Sequence, residues 1–111
     1  MKKLIYKMFN TMNVEEEVIF EIKPLQTRWE FSEILSKSMT IAKGDEFSLT
    51  FELAKRLFPK MVVSPEFPTV KKMEGIDWTI DIQIKEFFVN DPQILNEIVR
   101  ELMGLMKVQR S

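Results

Sequence analysis

Neither cysteine nor histidine occurs anywhere in the 111 residues. Without cysteine there are no disulfides, no thiolate nucleophile and no cysteine-based zinc site. Without histidine the chain also lacks the commonest general base and transition-metal ligand. Glycine is scarce: Gly44, Gly75 and Gly104 stand alone, so no glycine-rich loop can cradle a phosphate. Charge of one sign is missing too. A net charge of −1 and a pI near 5.6 give no electrostatic footprint for nucleic acid. No apolar run is long enough to cross a membrane. The basic opening Met1–Lys7 is interrupted by Lys7 and the polar Asn10–Asn13 stretch before a signal-peptide core can form. These absences point to a cytoplasmic protein with no cofactor, no metal, no small-molecule substrate, no membrane partner and no nucleic-acid partner.

What is present suits one small globular domain, 1–111. Apolar residues make up 45% of the chain, enough for a core, and charged residues 30%. Eight methionines are many for this length. The flexible thioether fills gaps in a helical core, and it also serves surfaces that must fit more than one shape.

Leu4–Phe9 and Glu17–Lys23 read as a β-hairpin. Val18, Phe20 and Ile22 alternate with Ile19, Glu21 and Lys23, Asn10–Asn13 forms the turn, and Pro24 ends the second strand. Thr27-Arg28-Trp29-Glu30 has capping-box spacing and opens a helix to about Ala42, with Lys43-Gly44 as the stop. Phe31, Ile34, Leu35, Ser38 and Ala42 share its face. Trp29 at the entrance is expected to pack over the hairpin, and a partner anchor is its other reading. Asp45 or Ser48 caps a second helix carrying Phe47, Phe51, Ala54 and Phe58, which Pro59 is expected to end. Lys55, Arg56 and Lys60 suit the negative end of its dipole. From Met61 to Gly75 the prolines predict a connecting loop held by Val62, Val63 and Phe67.

Ile76–Val89 is ambiguous. Isoleucine and Trp78 alternate with polar residues from Ile76 to Lys85, which favours a strand. As a helix, capped by Asp77, the segment has Ile76, Ile80, Ile84, Phe87 and Phe88 on one face. In either conformation Asp77 and Asp81 point the same way, but no base, nucleophile or glycine-rich loop accompanies them, so they make a poor case for catalysis.

The final segment, Asn90–Met106, organises the rest. Asp91-Pro92 predicts a helix start, with the carboxylate accepting the first free amides. Ile94, Leu95, Ile98, Val99, Leu102, Met103, Leu105 and Met106 then occupy roughly half the circumference, more than the ~100° stripe an ordinary surface helix needs. The surplus flank is the expected partner-binding surface: Leu95, Val99, Met103 and Met106, with Trp29 as a further anchor. Val99→Glu or Met103→Glu is expected to break a complex while leaving the monomer folded. The predicted fold class is α+β, mostly α-helical with about four helices, comprising a small N-terminal β-hairpin (1–24) and a helical part (25–111).

Three stretches resemble the small tail assembly chaperones of long-tailed bacteriophages and prophages. They are Glu21-Ile22-Lys23-Pro24-Leu25-Gln26-Thr27-Arg28, then Glu74-Gly75-Ile76-Asp77-Trp78 ahead of Phe87-Phe88-Val89-Asn90, and the closing apolar helix after Asp91-Pro92. The resemblance implies a mostly helical, non-enzymatic protein that binds a tape-measure or tail-tube protein during assembly and forms homo-oligomers. It also implies helix over Ile76–Val89, and a length suiting the shorter product of a frameshifted pair. The other reading is a small phage or bacterial transcription regulator or antirepressor, whose DNA affinity would fall steeply with salt.

Overall fold

The computed structural model describes residues 1–67, 70–73 and 76–106, of which 70–73 and 76–78 are described as backbone. The fold is α+β, with four helices and an N-terminal antiparallel hairpin among these residues. The hairpin joins β1 (Lys2–Phe9) to β2 (Glu15–Ile22). Leu4 lies opposite Phe20 and Tyr6 opposite Val18 on the inner face, while Lys3–Glu21, Ile5–Ile19 and Lys7–Glu17 pair on the outer face. The turn forms because Asn10 Oδ1 accepts the N–H groups of Met12 (2.9 Å) and Val14 (3.0 Å), and Asn13 takes a left-handed conformation (φ 59°) that asparagine tolerates. Asn90 Nδ2 donates to the Asn10 carbonyl (2.6 Å), tying the turn to the chain before the last helix.

Helix α1 (Arg28–Ala42) begins where the capping box places it: Thr27 Oγ1 accepts the Glu30 N–H at 3.2 Å. It ends at Lys43 (φ 50°) and Gly44 (φ 84°), both left-handed. Ser38 and Ala42 are its buried residues, with Phe31, Ile34 and Leu35 packed partly against the core. Helix α2 (Glu46–Met61) is capped by Asp45, whose carboxylate accepts the Ser48 N–H at 2.8 Å. That contact, made through both the Ser48 side chain and backbone, holds the Asp45 carboxyl below its usual range.

Several expectations need correction. Pro59 does not end α2, which runs on to Met61. The missing proline N–H removes only the bond to the Lys55 carbonyl, and the Val62 N–H closes the helix on the Phe58 carbonyl. The chain then forms β3 (Val62–Ser64), which pairs with β2 through Glu21 and Ile22, where a loop was expected. A second hairpin joins β4 (Val70–Met73), inside the expected connecting loop, to β5 (Ile76–Thr79), at the start of the ambiguous segment. Ile76–Val89 is therefore neither all strand nor all helix. Its first four residues pair with β4, and α3 (Ile80–Phe87) starts after Thr79 rather than at an Asp77 cap. From there Ile80, Ile84 and Phe88, spaced by four, enter the core.

Helix α4 (Pro92–Leu105) has Pro92 in its first turn as expected, but Asp91 makes no side-chain cap bond. Its backbone (φ −152°, ψ 65°) departs from the extended geometry that aims the Thr27 hydroxyl at a free amide. The core draws on the N-terminal hairpin, the four described helices and the β3 segment. Phe20 (β2), Phe58 (α2), Phe67 (after β3), and Phe87 and Phe88 (end of α3) form one ring cluster, with centroid separations from 5.0 Å for Phe58–Phe67 to 6.5 Å for Phe67–Phe88. Met8, Met61 and Met106 are buried with them, in the gap-filling role.

Candidate interaction groove

The expected surplus on α4 does not exist. Leu95, Ile98, Val99, Leu102 and Met106 are buried, and Ile94, Met103 and Leu105 are half-buried against the same core. Of the expected partner residues, Val99 (2% exposed) and Met106 (8%) are therefore enclosed by this chain's own fold, while Leu95 (5%) keeps only a small area, at the floor of a groove between the helices. Helix α2 covers them from one side, and the Met106 sulfur accepts the Leu25 N–H at 3.2 Å, so the end of α4 is latched to the β2–α1 connection. Met103 is half-buried. Reading one helix around its axis counts apolar positions but cannot count the neighbours that cover them.

Trp29 is the reverse case. It does not pack over the hairpin; it is 76% exposed, above a shallow depression formed with Ser32, Glu33, Ser36 and Lys37 along α1. In the first turn of α1 its side chain points outward, on the opposite side from Ser38 and Ala42.

A concave surface that does present apolar side chains lies where α2, α3 and α4 meet. A groove of about 370 Å³ is floored by Ile84, Phe88 and Leu95 and walled by Phe47, Phe51, Val89 and Pro92. A second depression of about 340 Å³ shares Phe47, Pro92 and Leu95 and continues along α4 past Asn96 to Arg100. Phe47 (69% exposed) and Val89 (58%) stand open at its rim. Large apolar side chains left in contact with water around a concavity are the usual mark of a binding surface rather than of a monomer exterior.

The groove's geometry follows from local sequence. Asp45 starts α2 so that Phe47 falls in its first turn, where α4 has only just begun and cannot cover it. The short turn Phe88–Asp91 brings Val89 and Pro92 to the same side. Thr50 Oγ1 donates to Asn96 Oδ1 (3.4 Å), joining α2 to α4 at the adjoining depression.

Charges flank the apolar floor. The ammonium groups of Lys55 and Lys85 lie 5.1 and 5.2 Å from the Phe51 ring centroid. Glu52 binds Lys55 (2.9 Å) and Arg56 (2.7 Å), and Lys55 also reaches Asp81 (3.4 Å). Burial is the largest single influence on Glu52 and works to raise its pKa. The hydrogen bonds and charges of Lys55 and Arg56 together outweigh it and hold the carboxyl below its usual range. This network ties α2 to Asp81 of α3 at the margin of the groove. Asp81 is engaged by Lys55, and the Asp77 side chain lies outside the described residues. Among the described residues no three acidic side chains converge as a metal site, and no helix is long and apolar enough to cross a membrane.

The sequence places Phe47 and Phe51 on the same apolar side of α2, yet Phe47 is exposed and Phe51 half-buried. Only Phe51 has neighbours on α3 close enough to cover it in part. Comparison with protein-family models, with curated proteins and with solved structures gives no match to this chain.

Proposed function

We propose that this chain is a non-enzymatic protein–protein interaction module that holds an amphipathic helix of its partner in the α2–α3–α4 groove. The observation that carries this reading is the pairing of an apolar floor with the uncovered side chains of Phe47 and Val89. A helix laid in such a groove buries its own apolar stripe on side chains spaced at i, i+3, i+4 and i+7. The resemblance to phage and prophage tail assembly chaperones supplies the partner class: a tape-measure protein, long and helix-rich, bound in the bacterial cytoplasm before tail assembly. In this reading the binding surface moves from the α4 flank to the groove beside it.

Co-expression with a tape-measure protein encoded beside this chain's gene, followed by size-exclusion chromatography, tests the reading. The wild-type chain is expected to co-elute with the partner, while Phe47→Glu and Val89→Glu elute alone and melt at the wild-type temperature. Co-elution of both variants at wild-type yield would overturn the groove assignment.

A further inference from the structure

The solvent face of the hairpin is striped. Along β1 it shows Lys3, Ile5, Lys7 and Phe9; along β2, in register, it shows Glu21, Ile19, Glu17 and Glu15. Basic residues occupy one strand and acidic residues the other. The outer face of an antiparallel sheet is ordinarily polar throughout. Here Ile5 (61% exposed) and Ile19 (47%) face each other uncovered at the middle, with Phe9 at the end. Lys3 reaches Glu21 only loosely, at 3.8 Å.

We infer that this face seats a second copy of the same chain, packed sheet on sheet. Consider a half-turn about an axis parallel to the strands and midway between the two sheets. It lays β1 of one copy over β2 of the other without shifting the residues along the strands. Lys3 then meets Glu21 of the second copy, Lys7 meets Glu17, and Ile5 meets Ile19. Every contact is made twice, as a two-fold interface requires. A half-turn about the axis at right angles, across the strands, would set Lys3 on Lys7 and Glu17 on Glu21, so the charges select one of the two face-to-face arrangements. An apolar centre inside a charged rim is also the ordinary anatomy of an interface.

Two strands of eight residues offer a face of about 26 Å by 10 Å, well under the ~800 Å² per partner of a stable complex. The association is therefore weak and concentration-dependent. It is separate from the groove and does not rest on its occupant.

Sedimentation velocity up to several hundred micromolar tests the inference. The wild-type chain is expected to self-associate. Lys3→Glu with Lys7→Glu, and separately Glu17→Lys with Glu21→Lys, should each weaken association by about tenfold or more, since like charges then oppose across the interface. An equimolar mixture of the two double variants restores opposite charges at every position and should recover association. Ile5→Thr with Ile19→Thr keeps strand propensity and should weaken association without altering the circular dichroism spectrum. A wild-type chain that stays monomeric, or charge variants that associate as strongly alone as mixed, would overturn it. Phe47→Glu should leave self-association unchanged.

Discussion

Val99→Glu separates a sealed final helix from an open one. Val99 is 2% exposed on α4. Burying a carboxylate there raises its native pKa by ~3–5 units, to or above neutrality, so at pH 7 the group is held protonated at a cost of about 3.5 kcal/mol, the ~2.7 pH units above its ordinary value at 1.36 kcal/mol each. Losing the valine's own burial adds ~1.5–3 kcal/mol. The sum, roughly 5–7 kcal/mol, reaches the lower end of the whole stability of an ordinary domain, about 5–15 kcal/mol. The variant should be severely destabilised at pH 7. The sign of its pH dependence follows from the raised native pKa. The charge penalty is absent below the ordinary glutamate value of about 4.3 and grows by ~1.4 kcal/mol per pH unit above it, up to the raised value. Urea unfolding followed by circular dichroism between pH 4 and 8 should therefore show the gap between variant and wild type narrowing on acidification. Val99→Ala, at about 2 kcal/mol, gives a folded reference with no pH-dependent gap. Val89→Glu, on the exposed rim, should stay within ~0.5 kcal/mol of wild type. If Val99→Glu were as stable as Val89→Glu, with parallel pH profiles, α4 would not be enclosed and the groove would lose its claim over the α4 flank.

Two further predictions concern local devices. Thr27→Ala should lower stability by about 1 kcal/mol because the Glu30 amide loses its acceptor, whereas Asp91→Ala removes no cap bond and should leave the melting temperature nearly unchanged. Glu52→Gln should cost about 1 kcal/mol at neutral pH by uncoupling Lys55 and Arg56. Because the native Glu52 pKa is lowered, its contribution is present above the ordinary value of 4.5 and is lost as pH falls through the native value. Paired melts at pH 7 and pH 3 should show the difference closing.

Much of the fold was legible wherever the determining interactions are local. The Thr27 cap, the Lys43–Gly44 stop, the Asn10–Asn13 turn and the inner face of β2 all depend on residues within a few positions of each other. The features that escaped are those fixed by distant partners. Val62–Ser64 is too short to announce itself as a strand, and it exists because Glu21 and Ile22 offer an edge some forty positions upstream. Ile76–Thr79 does carry the alternation of a strand, but its partner Val70–Met73 lies in a stretch whose prolines read as loop. The candidate site is only partly legible for the same reason. Leu95, Val99 and Met106 have a surplus flank's sequence pattern, and Phe47 shares the apolar side of α2 with the buried Ala54 and Phe58. Which is covered depends on the crossing of three helices, and no periodicity carries that information.

The shared phenylalanine cluster has a consequence for how the molecule comes apart. Phe20, Phe58, Phe67, Phe87 and Phe88 are drawn from four different parts of the chain yet touch one another. Detaching the hairpin would strip Phe20 from its neighbours, and withdrawing α3 would strip two rings at once. Amide exchange in β2, α2 and α3 should therefore proceed through a common global opening with a single free energy. A client seated among these helices would slow exchange in β2, although it never touches that strand.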